Sequence, residues 1–498
     1  MFAAATPLLA LLAACGGGNA PTMAESSNAQ IRSMTPGVTP FIELVRLGGS
    51  NLSGVTSVRY TVAPRPDATS QAVDVTYSRA ALARRGYVPQ TDGTFAFPVF
   101  GLYAGATNSV AVRLEFEDRS VKLLPLSVTS AAYVDPTGIY GQPAVLVKRN
   151  PSSRLGYSYF VIKSDLGTPV VLDTDGQIRW AATGLQTAGA MSFTQGGFIV
   201  GDQTSPLVSR LELDGHLTTA PMSDPTFTEF HHNIDPGKSG SLAEFNVDDN
   251  GVVNLETTLA EITSAGSTLR KWDFAALIGN YMRAHGDDPS QFVRPGVDWF
   301  HMNASHYDAR DDSLIVSSRE NFVIKVDYET GDIRWILGDP TKYWYTFASL
   351  RAKALDLQGD GLYPEGQHSV SVTPDGLLML FNDGLGSLNQ PAGTSPGESR
   401  TYSAVSAYSI DEAQMTAREV WDFDYNKSIY SDICSSAYQT RDLSTLITYA
   451  AADNRTNARL VGLDPQHGVA FDFQFASPIA CYTAWNAMPI PFESLLIY

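Results

Sequence analysis

Short runs of alternating apolar and polar residues dominate the first quarter of the chain. Phe41-Ile42-Glu43-Leu44-Val45, Ser57-Val58-Arg59-Tyr60-Thr61-Val62, Ala72-Val73-Asp74-Val75-Thr76-Tyr77 and Ser109-Val110-Ala111-Val112-Arg113-Leu114-Glu115-Phe116 are of this kind. Alternation puts one face on a core and the other in water, which is the pattern of antiparallel strands. It predicts a small β-sandwich over residues 36–135, of a size typical for such domains. No chemistry-bearing pattern stands out there, so a structural or docking role is expected.

From about residue 140 the pattern changes to a loose repeat, at intervals of roughly forty to seventy residues. Its clearest unit holds Ser313-Leu314-Ile315-Val316-Ser317-Ser318-Arg319, then Val323-Ile324-Lys325-Val326-Asp327, then Gly331 and Ile333-Arg334-Trp335. Four short strands with turns between them make one propeller blade. Val170-Val171-Leu172-Asp173-Thr174-Asp175-Gly176-Gln177-Ile178-Arg179-Trp180 matches the second half of that unit. Partial copies elsewhere bring the count to about six. The expected fold is therefore all-β, a six-bladed β-propeller over 136–498 preceded by the sandwich. Apolar residues at helical spacing predict short helices within 272–285 and 343–357.

The chain has 498 residues and a net charge of −18. The acidity argues against a nucleic-acid partner, which usually meets a basic face. An anionic substrate would have to be held by local cations against the overall field. Residues 1–14 are mostly small and apolar and lead through Leu12-Ala13-Ala14 into Cys15-Gly16, which resembles a lipoprotein signal peptide, although no Lys or Arg precedes Arg32. The expectation is an exported chain, periplasmic and membrane-anchored through a lipid on Cys15, with a flexible tether over 15–35. Cys434 and Cys481 remain; their separation neither supports nor excludes a bridge.

Among eight histidines, His232, His301 and His368 each precede the first strong apolar run of a unit by about ten residues. Equivalent positions in successive blades face one axial space, so three imidazoles are expected to converge there. His231 stands beside His232 as an alternative. His216, His285, His306 and His467 read as structural or turn residues. Arg319 lies in the same unit as His301 and Asn303. A guanidinium beside imidazoles suits a tetrahedral oxyanion such as sulfate or phosphate. A metal is disfavoured, because no Asp or Glu follows these histidines at ligand spacing and Arg319 would repel a cation. Gly237-Lys238-Ser239 lacks the first glycine and the strand of a P-loop, and Gly240-Ser241 ends wrongly for a nucleophile elbow.

Asp298-Trp299-Phe300-His301-Met302-Asn303, Ser317-Ser318-Arg319, Gly331-Asp332-Ile333-Arg334-Trp335-Ile336-Leu337-Gly338 and Gln367-His368 with Phe381-Asn382-Asp383-Gly384 resemble the bacterial arylsulfate sulfotransferases, enzymes that need no nucleotide sulfate donor. The resemblance is dense over 290–390 and looser but collinear elsewhere. It implies that His368 attacks sulfur and carries the sulfuryl group, that His301, Asn303 and Arg319 hold the sulfate oxygens, and that His232 is a further site histidine. It implies an aryl sulfate donor, a phenolic acceptor and ping-pong transfer, and allows a homodimer through the N-terminal domain; no cofactor and no metal are expected. The family's C-terminal site threonine has no clean match at Ala480-Cys481-Tyr482-Thr483, and a closely spaced disulfide of some members has no counterpart. A sulfate- or phosphate-ester hydrolase on the same site and a non-catalytic propeller are the competing readings.

Overall fold

The structure is a computed structural model that describes residues 28–88, 93–166, 169–185, 187 and 189–498. The signal-peptide segment and Cys15 lie outside the described residues. The alternating runs form two packed sheets. One has three strands, Gln30–Pro36, Ile42–Gly48 and Phe95–Phe100; the other runs Leu495–Ile497, Val73–Ser78, Val55–Val62, Thr107–Phe116, Val121–Thr129. Along Thr107–Phe116 every second residue, from Asn108 to Phe116, is buried. That face meets Val58, Tyr60, Val45 and Phe97 in one core.

Two boundaries differ from expectation. Gln30–Pro36 pairs antiparallel with Ile42–Gly48, from Gln30↔Gly48 to Pro36↔Glu43, so residues 30–35 belong to the sandwich and not to a tether. This edge strand is exposed over nearly its whole length, which is why no alternation marks it. At the other end, Leu495–Ile497 leaves the propeller and runs parallel to Val73–Ser78.

Six sheets make the propeller. Blade one is Asn486–Pro489, Tyr159–Lys163, Val170–Asp173 and Ile178–Ala181; blade two is Met191–Thr194, Gly197–Gly201, Leu207–Glu212 and Leu217–Pro221. Blade three is Phe227–Pro236, Ser241–Asp249, Val252–Ile262 and Thr268–Asp273; blade four is Met302–Asp308, Ser313–Ser318, Phe322–Asp327 and Ile333–Leu337. Blade five is His368–Val372, Leu378–Asn382, Ala404–Asp411 and Thr416–Phe423, with Asp356–Leu357 outside it. Blade six is Ser436–Gln439, Thr445–Ala451, Asn457–Leu463 and Val469–Ala476, with Ala144–Val147 outside it. The first strands of blades two to six and Asn486–Pro489 touch in succession and wall the axis. The ring closes twice: Met488 pairs with Val161 inside blade one, and Val145 pairs with Phe473 at the rim of blade six.

Local chemistry explains the repeat. In blade one Asp173 Oδ1 accepts from the amides of Asp175 (3.1 Å) and Gln177 (2.9 Å), and Gly176 takes φ 84° to close the turn. In blade four Asp327 Oδ1 accepts from Glu329 (3.0 Å) and Thr330 (2.9 Å), with Gly331 at φ 75°. An aspartate that caps the turn and a glycine that tolerates positive φ are what make the two stretches alike in sequence.

Both predicted helices are present in part. Phe274–Ala284 is capped by Asp273, which accepts from the Ala276 amide at 3.0 Å. It buries Phe274 against Phe300, with ring centroids 5.4 Å apart, and so backs the segment that carries His301. Residues 343–357 hold one 3-10 turn, Tyr343–Thr346, and one helical turn, Ala348–Arg351. The sandwich is fixed to blade one by the buried Arg179, which pairs with Asp173 (3.2 Å), donates to the Gly101 carbonyl (2.7 Å) and lies over the Tyr103 ring (3.7 Å).

Cys434 and Cys481 are bridged, with Cα atoms 6.2 Å apart and a sequence separation of 47. The bridge ties the segment entering blade six to the one entering blade one, next to the ring closure. A loop of that length is expected to contribute about 2–4 kcal/mol by restricting the unfolded chain. Cys434→Ser should therefore lower the melting temperature, and the intact wild-type mass should be two hydrogens below the reduced mass. Equal melting of wild type and variant would refute a bridge with that effect.

Candidate active site

The three expected histidines meet at the head of the axial channel, each where its inner strand begins or bulges. His232 lies in a bulge of Phe227–Pro236, where pairing skips from His231 to Ile234. His301 directly precedes Met302–Asp308, and His368 opens His368–Val372. His232 and His301 have ring centroids 4.6 Å apart, and His232 and His368 are 6.3 Å apart. His232, His301 and Ser369 adopt φ of 30°, 50° and 52°, and Glu256 adopts 50°. Left-handed backbone at non-glycine residues costs about 1–3 kcal/mol each and persists where the surroundings over-determine it. Here it turns side chains inward at the channel mouth.

Arg319 follows the second strand of blade four. Its amide donates to the His301 carbonyl at 3.0 Å, which locks the two segments together. Arg319 is 2% exposed; Nη1 donates to Glu320 Oε1 at 2.6 Å, while Nη2 is buried without a partner. Glu320 is itself held by the amides of Leu388 (2.8 Å) and Asn389 (2.7 Å) on the long loop of blade five. A buried donor left unmet costs about 1–3 kcal/mol, which makes Nη2 a candidate for a ligand oxygen. Asn303 Nδ2 donates to the Gln367 carbonyl at 2.8 Å, and Gln367 Nε2 donates to the Ser318 carbonyl at 2.7 Å. These bonds join blades four and five beside His368. One Asn303 N–H remains for a second acceptor.

The ring nitrogens are sorted by their partners. His368 Nδ1 donates to the Gly366 carbonyl at 3.0 Å. Asp383 Oδ2 lies 2.8 Å from the same nitrogen, without hydrogen-bond geometry. This leaves His368 Nε2 as the free nitrogen with a lone pair. His301 Nδ1 lies 2.5 Å from Asp298 Oδ2 and 3.0 Å from Glu256 Oε2, so its Nε2 is free as well. His232 Nε2 lies 2.9 Å from Glu256 Oε2, and Trp485 stacks on the His232 ring at 5.0 Å.

Burial, and then the neighbouring His232 and Arg319, hold His368 well below the usual 6.5. Burial, His301 and Arg319 do the same to His232. His301 is pulled down by burial, but the carboxylates of Glu256 and Asp298 outweigh this and raise it. Burial pushes the carboxyl of Glu256 up, against the pull of His301, and pushes Asp383 well above the ordinary range. Burial thus favours the neutral imidazole at His368, while the two carboxylates favour the proton on His301; the Arg319 guanidinium lies near both rings.

The sequence reading brought His232, His301, Asn303, Arg319 and His368 to one place. It missed Glu256, Asp298, Asp383 and Trp485. Asp298 and Asp383 stand inside the very motifs singled out, three residues before His301 and just after Phe381-Asn382. Glu256 comes from the third strand of blade three and carries no local signal. Trp485 occupies the position before the inner strand of blade one that histidines occupy elsewhere. Thr483 is outside the site: its hydroxyl donates to the Ala476 carbonyl at 2.9 Å. His216, His285 and His467 are turn or helix-end residues, His467 resting on Trp421 at 4.7 Å.

These shifts set an acid limb for stability. His232 and His368 stay neutral when folded but accept protons when unfolded, below about 6.5. The unfolded state then binds more protons, so stability falls by about 1.4 kcal/mol per pH unit for each as pH drops below that value. His301 acts oppositely: its raised pKa adds stability fully present below about 6.5 and lost as pH rises through its folded value. His368→Gln should flatten the acid limb of melting temperature against pH; an unaltered limb would contradict a buried neutral His368.

A family model described as Arylsulfotransferase (ASST) matches residues 146–486. This stretch runs from the outer strand of blade six to the start of the closing strand. Arylsulfate sulfotransferase AssT of Escherichia coli O6:H1 (strain CFT073) is 32% identical over 178 residues, covering 32% of this chain and 29% of that protein. Arylsulfate sulfotransferase AssT of Lelliottia amnigena is 30% identical over 174 residues, covering 31% of this chain and 28% of that protein. The matched stretches thus span under a third of those relatives. The β-propeller domain of Cps50 (Swd1) from Myceliophteria thermophila overlays with a TM-score of 0.36 at 11% identity, over 68% of this chain and 87% of that one. The family match covers all six blades and every histidine of the channel mouth, and the chain belongs to the arylsulfotransferase family.

Proposed function

We propose that this protein transfers a sulfuryl group from an aryl sulfate to a phenol in two steps through a sulfohistidine on His368. The lone pair of His368 Nε2 attacks sulfur, the S–O bond to the aryl oxygen breaks, and the phenol leaves. A second phenol then takes the group from Nε2 by the reverse path. The observation that carries this reading is the pinned tautomer of His368: Nδ1–H is spent on the Gly366 carbonyl at 3.0 Å. Burial keeps the ring neutral, so the nucleophilic lone pair is present at neutral pH.

The other residues take roles set by their charge. A sulfuryl group spreads its charge over peripheral oxygens, so transfer depends on fixed donors around it, as in phosphoryl transfer. The unmet Nη2 of Arg319 and the spare N–H of Asn303 supply them. A phenolate of pKa about 10 leaves poorly, and a positioned acid lowers that barrier. His301 Nε2–H is suited to the task, with Glu256 and Asp298 keeping its proton on. The Gly366 carbonyl orients His368. Export to an oxidising compartment is part of this reading, supported by the Cys434–Cys481 bridge, since such bridges persist there.

His368→Ala is expected to lower turnover by several orders of magnitude and to abolish a stable gain of one SO3 on the peptide holding His368 after acid-free quenching. No such adduct in the wild type would overturn the two-step path, as would intersecting double-reciprocal lines. Product formed equally with and without added phenol would point instead to hydrolysis. His301→Gln should cost about 10²–10⁴-fold with weakly acidic leaving phenols and far less with nitrophenyl sulfate. A loss independent of the leaving group would remove His301 as the acid.

A further inference from the structure

We propose that His231, His232 and Glu256 form a binding site for a zinc-class divalent cation, and that its occupancy stops transfer. The three side chains converge by their ligand atoms. His231 Nε2 lies 3.0 Å from Glu256 Oε1, and His232 Nε2 lies 2.9 Å from Glu256 Oε2. All three ligand atoms fall within 4.8 Å of one another. Nitrogen and oxygen ligands at the usual zinc distances span tetrahedral edges of roughly 3.3 Å. Small adjustments of three side chains would therefore seat the ion.

The donor set selects the metal. Two imidazoles and one carboxylate with an open fourth position is a recurrent zinc arrangement, whereas magnesium and calcium favour all-oxygen shells. A metal takes neutral imidazoles, and both rings already turn Nε2 toward Glu256. The side chain of His231 is 31% exposed, which gives an ion a way in from solvent. Local spacing in sequence argued against a metal, since no carboxylate follows the histidines closely. The carboxylate instead arrives from the third strand of the same blade. The repulsion expected from Arg319 is offset by its pair with Glu320 at 2.6 Å. His231 Nδ1 lacks an acceptor, and a missing outer partner typically weakens metal binding by about 10–100-fold. The site should thus bind reversibly, well short of a structural zinc.

Occupancy and transfer compete for the same atoms. Glu256 Oε2 also faces His301 Nδ1 at 3.0 Å, and a cation on that oxygen withdraws it from His301. The inhibitory half of the proposal rests on the transfer reading above; the binding half does not.

The test uses full-length protein stripped with chelator and dialysed, titrated with zinc chloride by calorimetry and with cobalt(II) by visible absorption. The expected result is one equivalent bound, cobalt bands of a four-coordinate nitrogen–oxygen site, and no magnesium heat. His231→Asn should weaken zinc at least tenfold, keep the wild-type circular dichroism and retain transfer in zinc-free buffer. His231→Gln serves as a second variant should Asn misfold. Aryl sulfate turnover by wild type should fall with zinc at the concentration that fills the site, and the variant should resist. No zinc binding, or binding untouched by both variants, overturns the site. Full or increased turnover at saturating zinc overturns the inhibition. A wild type that binds zinc but never transfers, even metal-free, faults the transfer reading and leaves the site standing.

Discussion

Pairing of Asn486–Pro489 with Tyr159–Lys163 is the constraint on which the site depends. Six sheets share an axis only if the ring shuts, and these two strands shut it. The same event sets Trp485 against His232 and His368, with ring centroids 5.0 and 5.9 Å away. The disulfide and the outer strand Ala144–Val147 reinforce the seam from two other radii. No histidine of the site lies on a free loop. Each sits at the lip of a strand whose neighbours are fixed, as geometric precision at a reacting centre requires.

A second theme is how charge is distributed in a buried place. Within an acidic protein, one buried guanidinium stands among several imidazoles, a setting suited to an anion. Arg319 is held by Glu320 on one side and left unmet on the other. Two carboxylates raise the pKa of one histidine while burial lowers that of its neighbours, so chemically identical rings are driven in opposite directions. Environments that push like groups apart are a means of assigning acid and nucleophile. The same carboxylate that raises His301 also brings His231 and His232 together.

Much of this was legible in the chain. Alternation over Val55–Val62 and Thr107–Phe116 marked the sandwich, because each strand has one wet face. The turn pattern at Asp173 and Asp327 marked the blades. The histidines were legible because they recur at matching places in the repeat. Gln30–Pro36 was not, since an exposed edge needs no alternation. Leu495–Ile497 was not, since joining a sheet that is far away in sequence leaves no local trace. Glu256 escaped for the same reason: its partnership with His301 is made across a bulge and between blades, and neither feature is periodic.

The double seam also bears on how the chain becomes active. Val161 and Met488 are neighbours in space but stand at opposite ends of the propeller's sequence. Such contacts carry a large loop-closure entropy, and folds rich in them form slowly. Each blade hairpin can form from nearby residues alone, well before the ring is shut. Partly folded chains would thus hold blades but lack Trp485 over the histidines. The contacts of Trp485 with His232 and His368 are therefore expected to form after the separate hairpins, when the ring shuts.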